Sequence, residues 1–201
     1  MDIHQPHDKF FKALFSHQDI VADLIGGTIE RQLGICFDMT TLRPDPNDYH
    51  TDYLASLFSD VVYECQLKDS ANSLKINLLW EHKSSFKPGI KFDFLDYCCE
   101  IWRFQRNQQQ EKTPIICIIF SHGTDGWRTD GHELLFENLP PQLQAFMPAF
   151  RYLVIDLSHY SDNDITEYFK SISLQTSLLL MKHIRDLGLL EQLKQIFGNL
   201  D

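Results

Sequence analysis

The chain has 201 residues, 43% of them hydrophobic, and a formal net charge of -10. That is enough apolar material for one domain with a sizeable core, and no run approaches the ~18 apolar residues that a membrane span requires. The acidity excludes strong passive attraction to nucleic acid over the whole surface, although a local basic patch beside an acidic site stays compatible with it.

The opening MDIHQPHDKFF has no basic stretch followed by an apolar core, so no signal peptide is expected. The cysteines, Cys36, Cys65, Cys98, Cys99 and Cys117, are odd in number, form no CxxC pair and mostly sit in apolar runs. They read as reduced, buried thiols of a cytoplasmic protein. In HDKFFKALF, Phe10, Phe11, Leu14 and Phe15 recur at helical spacing, with Asp8 near the start where an acid is favourable. A second helical segment is predicted over Gln18 to Leu33, with Ile20, Val21, Leu24 and Ile25 on one face and Gly26-Gly27 weakening its middle or ending it. Residues 36–50 form a connector, with a short edge strand at Met39 to Leu42.

Asp60 to Lys68 alternates apolar and polar residues and predicts a strand. Asp69 to Ser73 is turn-rich, and Leu74 to Lys83 completes a β-hairpin. Ile90 to Gln110 predicts a long helix whose broad apolar face includes Phe94, Cys98, Ile101 and Trp102. IICIIF (115–120) and YLVIDL (152–157) read as buried strands, separated by a long excursion over 121–148. From Asp162 the chain is helical, through LLLMKHI and LGLLEQLKQIF. The order implies a mixed α/β domain with a central sheet.

The chemistry concentrates at LLWEHK, where an apolar strand ends in Glu81, His82 and Lys83. Strand alternation puts Glu81 and Lys83 on one face and His82 on the other. If Lys68 pairs with Ser73, Asp60 falls opposite Glu81, with Cβ atoms about 4.5–5.5 Å apart. A register one residue away opposes Asp60 to His82 and moves it to the other face. Two carboxylates that close repel unless a cation lies between them. Oxygen donors of this kind suit Mg²⁺, with the backbone carbonyl of His82 as a further ligand. A strand-end salt bridge is the alternative reading of the acid and base in LLWEHK.

Asp60, followed after 20 residues by Glu81-His82-Lys83, resembles the catalytic signature of the PD-(D/E)XK nucleases, with Ser59 where a proline is usual. The set HDKFFKALF, SDVVYECQLK, LLWEHKSS, YCCEIW, the apolar strand followed by His122, Gly123 and Trp127, and FRYLVIDL further resembles the bacterial recombination-promoting nuclease / putative transposase family. The resemblance implies a restriction-endonuclease-like α/β core, a central mixed sheet flanked by helices. It places that core at 1–160 and a helical C-terminal segment packed on it at 161–201. It also implies metal-dependent DNA endonuclease activity. Asp60 and Glu81 would then hold Mg²⁺ (Mn²⁺ or Ca²⁺ as substitutes) and Lys83 would assist the attacking water. DNA is the implied partner, and a homodimer is open. The runner-up is a non-catalytic interaction module that keeps the nuclease-like fold.

Asp8 reads equally as a helix cap or as an acid completing the site. Glu64, four residues from Asp60 and roughly 13 Å along the strand, reads as a sheet-surface acid. Tyr97 and Trp102 read as core, and Gln105 as solvated. Lys87, Lys91, Arg103, Arg106 and Lys112 could supply a local basic patch along the long helix. His122 reads as a turn residue whose ring caps a carbonyl, with a substrate-contacting loop as its rival. The HxxH of His4 and His7 has no partner for a convincing zinc site, and no GxSxG, P-loop or GxGxxG is present.

Overall fold

The computed structural model describes residues 10, 13–45, 61–68, 75–83, 89–122, 126–127, 139–148 and 150–183; at 61 and 75–83 it describes the backbone and its pairing. Asp8, Asp60, Lys87 and the LGLLEQLKQIF segment lie outside the described residues.

Residues 13–15 are helical, and the buried Phe15 sends its carbonyl to the Tyr63 hydroxyl, 2.7 Å away. Helix α1 spans Gln18–Gly27 and buries Ile20, Val21, Leu24 and Ile25, the stripe that the spacing predicts. The segment ends at its glycine pair: Thr28 (φ -126°, ψ -73°) leaves the helix, after which α2 runs Ile29–Leu33. The break follows the helix-weakening pair Gly26-Gly27; Gly27 also lies against Phe169 so closely that a Cβ would sit 2.5 Å from its ring, so glycine is required there.

Strand β1, Phe37–Pro44, is longer than the expected edge strand and pairs antiparallel with β2, Val61–Leu67. Its register slips between Asp38 and Arg43. There the Asp38 carboxylate accepts from Thr40, and the Thr41 hydroxyl donates to the Asp38 carbonyl while accepting from the Gln66 N–H. Strand β2 pairs antiparallel with β3, Lys75–Lys83. Helix α3, Ile90–Asn107, carries the chain back across the sheet to β4, Ile115–Ser121, which lies parallel to β3. Parallel neighbours need such a crossover. A short helix, α4, spans Pro141–Gln144 inside the 121–148 excursion. Strand β5, Leu153–Asp156, runs parallel to β4 and ends in a 3-10 turn, Leu157–His159. Helices α5, Asp162–Tyr168, and α6, Ile172–His183, follow.

The five strands form one mixed sheet in the order β1-β2-β3-β4-β5, so the α/β expectation holds. Each face carries its own core. Tyr63, Cys65, Ile118, Phe120 and Ile155 pack beneath α1, α2, α5 and α6, with Leu24, Ile165, Leu174 and Leu178 among the buried residues. Val62, Cys117 and Ile119 pack beneath α3, with Phe94, Tyr97, Ile101, Trp127 and Tyr152. Burial of each large side chain contributes on the order of 1.5–3 kcal/mol. All five cysteines are free thiols; Cys65, Cys98 and Cys117 are buried, whereas Cys36 and Cys99 are exposed, against expectation. Among the described residues no helix is long and apolar enough to cross a membrane.

Candidate functional site

The hairpin register runs from Gln66 opposite Lys75 to Val61 opposite Trp80. This is the register that a Lys68–Ser73 closure requires, rather than the one displaced by a residue. Strand β3 then meets β4 with Glu81 beside Ile119, His82 beside Phe120 and Lys83 beside Ser121. Residues paired across a sheet share a face. Ile119 belongs to the core under α3 and Phe120 to the opposite core. The positions of Glu81 and Lys83 therefore lie on the α3 face, and that of His82 lies on the other.

The row continues. Ser121 pairs with Asp156 at the end of β5, so Lys83, Ser121 and Asp156 occupy one line across the ends of three parallel strands. In open α/β sheets the carboxyl ends of parallel strands are where ligands bind, because loops diverge there and leave a crevice. This edge gathers buried polar residues. Ser121 and His122 are buried at the end of β4, and Asp156 is only 2% exposed. The Asp156 carboxylate accepts the Trp127 N–H, and also the Ser158 N–H at 2.9 Å.

Several expected roles change in the folded chain. Glu64 is no surface acid: it is buried, and Arg43, on β1, approaches its carboxylate to 3.3 Å. It pairs in register with Asn77, away from the strand ends where Glu81 and Lys83 stand. Gln105 is not solvated either. It is 4% exposed, accepts the Thr113 N–H at 3.1 Å and donates to the Thr113 hydroxyl at 2.8 Å. Trp102 adds an indole N–H bond to the Thr113 carbonyl at 2.8 Å. These bonds fasten the end of α3 to the approach of β4. Tyr97 is buried under the α3 core as expected.

The basic cluster also divides. Lys91 is buried, while Arg103, Arg106 and Lys112 are exposed. Helix α3 begins just beyond β3 and ends just before β4. Its 18 residues span about 27 Å at 1.5 Å per residue. Arg103, Arg106 and Lys112 thus stand near the starting end of β4, remote from the edge that carries Glu81 and Lys83. Arg103 is also paired with Glu100.

Among the described residues no group of three or more histidine, cysteine or acidic side chains is gathered tightly enough to hold a metal. The donor set proposed from sequence needs Asp60, which lies outside them. The sequence assigned no site role to Asp156 or Ser121: Asp156 reads as an inner residue of the YLVIDL strand and Ser121 as the first residue of the excursion after IICIIF. The signal that singled out LLWEHK, an apolar run stopping at an acid, is equally present in YLVID.

No solved structure matches the chain. A family model described as "Putative transposase, YhgA-like" matches residues 5–201, nearly the whole length. With that coverage, the chain belongs to the YhgA-like putative transposase family.

Proposed function

We propose that the protein is a metal-dependent DNA endonuclease with a PD-(D/E)XK-type site on a restriction-endonuclease-like core, acting in DNA recombination, mobile-element biology or defence. The observation that carries the reading is the hairpin register, Val61 opposite Trp80. If the pairing continues by one residue, Asp60 would stand opposite Glu81, on the face shared with Lys83. Membership of a family named for transposition supports a DNA substrate, and the three-layer mixed sheet supports the fold assignment.

In this reading Asp60, Glu81 and the His82 carbonyl supply hard oxygen donors suited to Mg²⁺. When bound, the ion acidifies a water and stabilises charge on the phosphoryl oxygens. Lys83 orients the attacking water and offsets negative charge as it develops in the transition state. Asp8, outside the described residues, is the further acid that could complete the set. The buried line of Ser121 and Asp156 closes the edge beside Lys83.

The test uses plasmid DNA with Mg²⁺ or Mn²⁺, beside Asp60→Ala and Lys83→Ala. Nicking by the wild type is expected to fall by at least about a hundredfold in either variant. Equal activity in all three proteins would refute the site. A second reading, a non-catalytic interaction module on the same fold, draws support from the net charge of -10 and from the distance of Arg103, Arg106 and Lys112 from the strand ends. Absence of cleavage with either metal, together with stable complex formation by a partner protein, would favour it.

A further inference from the structure

Asp156 sits where three elements converge. Its backbone ends β5 in register with Ser121, itself in register with Lys83. Its carboxylate is buried and accepts two backbone N–H groups, from Trp127 and from Ser158. The first of these bonds spans 29 residues and catches the chain after it has left β4 at His122. Gly126 makes the approach feasible. It adopts φ +67°, and a Cβ there would lie 3.4 Å from the Asp156 Oδ2 and 3.3 Å from the Ser158 Oγ. A side chain at 126 would therefore be strained in backbone and crowded in space.

Past the clamp, the Trp127 ring is buried in the α3 core with Phe94, Tyr97 and Tyr152. Its indole N–H reaches the Tyr152 hydroxyl at 3.4 Å. One carboxylate thus ties the segment leaving β4 to the end of β5 and seats its tryptophan under α3. The end of β4 is the immediate neighbour of the Lys83 position. Slack in this segment would be felt there, and misplacement by about 1 Å can cost a hundredfold in rate.

We infer that Asp156 is a positioning residue: by clamping Gly126–Trp127 it holds the exit of β4 as a rigid wall beside Glu81 and Lys83. The inference rests on the nuclease reading for its catalytic consequence, and on the hydrogen bonds alone for the clamp. It acts through backbone amides and touches no substrate.

Amide hydrogen exchange at 126–127, followed by mass spectrometry on the full chain, reads the clamp directly. Asp156→Ala is expected to speed exchange of the Trp127 amide by about tenfold or more, because a buried N–H loses its acceptor. Asp156→Asn, which keeps one acceptor oxygen, should fall between. Single-turnover plasmid cleavage is expected to drop by about ten- to a hundredfold in Asp156→Ala, with half-saturating DNA concentration changed by less than about twofold. Lys83→Ala should abolish cleavage and leave the exchange unchanged, a split that general destabilisation does not produce. Should Asp156→Ala fail to fold, Gly126→Ala loosens the same contact from the loop side and should show both effects in milder form.

Unchanged Trp127 exchange in a folded Asp156 variant would overturn the clamp. Faster exchange with wild-type cleavage would overturn the positioning role. An inactive wild type would refute the nuclease reading and with it the catalytic consequence, while the exchange rates still decide whether the clamp exists.

Discussion

Tyr63 joins the sheet to the segment that precedes α1. Its hydroxyl donates to the Phe15 carbonyl at 2.7 Å, from a ring with no exposed surface. Burial, with a smaller contribution from the negative charge of Asp19, pushes its pKa from the ordinary 10.0 up to about 12. The folded protein therefore holds the phenolic proton more tightly than the unfolded chain does. That contribution is complete below pH 10 and is lost as pH rises from 10 toward 12. Tyr63→Phe is expected to cost about 1–2 kcal/mol at neutral pH, through the carbonyl left unsatisfied. Between pH 10 and 12 its Tm should fall less steeply than that of the wild type. Thermal melts at a series of alkaline pH values check both; parallel curves would remove Tyr63 as the titrating group. Single residues were also where the sequence was hardest to read. Gln105 looked like a solvated helix residue because nothing in its neighbours announces Thr113 as a partner eight positions on. Asp156 reads as one more residue of the buried strand YLVIDL, because its partners, Trp127 and Ser158, are assembled only by folding.

Among the elements, periodicity located what local pattern can specify. Alternation marked β2 and β3 to within a residue, and the apolar runs marked β4 and β5. What escaped depends on contacts between distant residues. The close approach of Phe169 to Gly27, which leaves no room for a Cβ, is one such contact. Strand β1 lengthens because Asp38, Thr40 and Thr41 satisfy one another across its register slip. The turn geometry between β2 and β3 was ambiguous in sequence, and only the pairing of Val61 with Trp80 distinguishes the two registers.

The bonds between elements make two tests. Gln105→Ala removes both side-chain bonds to Thr113 and is expected to cost about 2–3 kcal/mol, read by urea denaturation. A loss below about 0.5 kcal/mol would show that Trp102 alone holds the α3–β4 junction. At the other end of the chain, Asp162 opens α5, where its charge suits the helix N-terminus, and meets Lys182 at 2.6 Å and His183 at 3.0 Å in the last turn of α6. These bonds, that to Lys182 first, hold the Asp162 carboxyl below its ordinary 3.8. A depressed carboxylate contributes stability that is present above 3.8 and disappears as pH falls through its lowered value. Hydrogen exchange at 179–183 should therefore quicken in that acid window beyond the intrinsic pH trend. Asp162→Asn should already show the faster exchange at neutral pH, without the acid step. A wild type whose protection is flat through that range would dismiss the link.

For the whole molecule, the sheet is the shared floor of both cores, and this decides how the fold should come apart. Phe94 lies in the core under α3, and Leu178 in the core under α1, α5 and α6. Neighbouring residues of β4 serve both: Cys117 and Ile119 face one core, Ile118 and Phe120 the other. Loss of either core thus exposes a strand whose backbone bonds support the second. Leu178→Ala is expected to cost about 2–5 kcal/mol and Phe94→Ala about 3–5 kcal/mol. In each variant the two faces should still unfold in one transition. Tryptophan fluorescence in a Trp80→Phe background, which leaves only the buried Trp127 and the half-buried Trp102 on the α3 side, reports one face. Exchange of α6 amides at increasing urea reports the other. Coincident midpoints in wild type and variants are expected, because Leu174, Leu178 and Met181 share a core with the sheet residues Tyr63 and Ile155. If α6 lost protection well before the fluorescence change, the helices after 160 would be a separable layer, stabilised by their own contacts and docked on a core that stands without them.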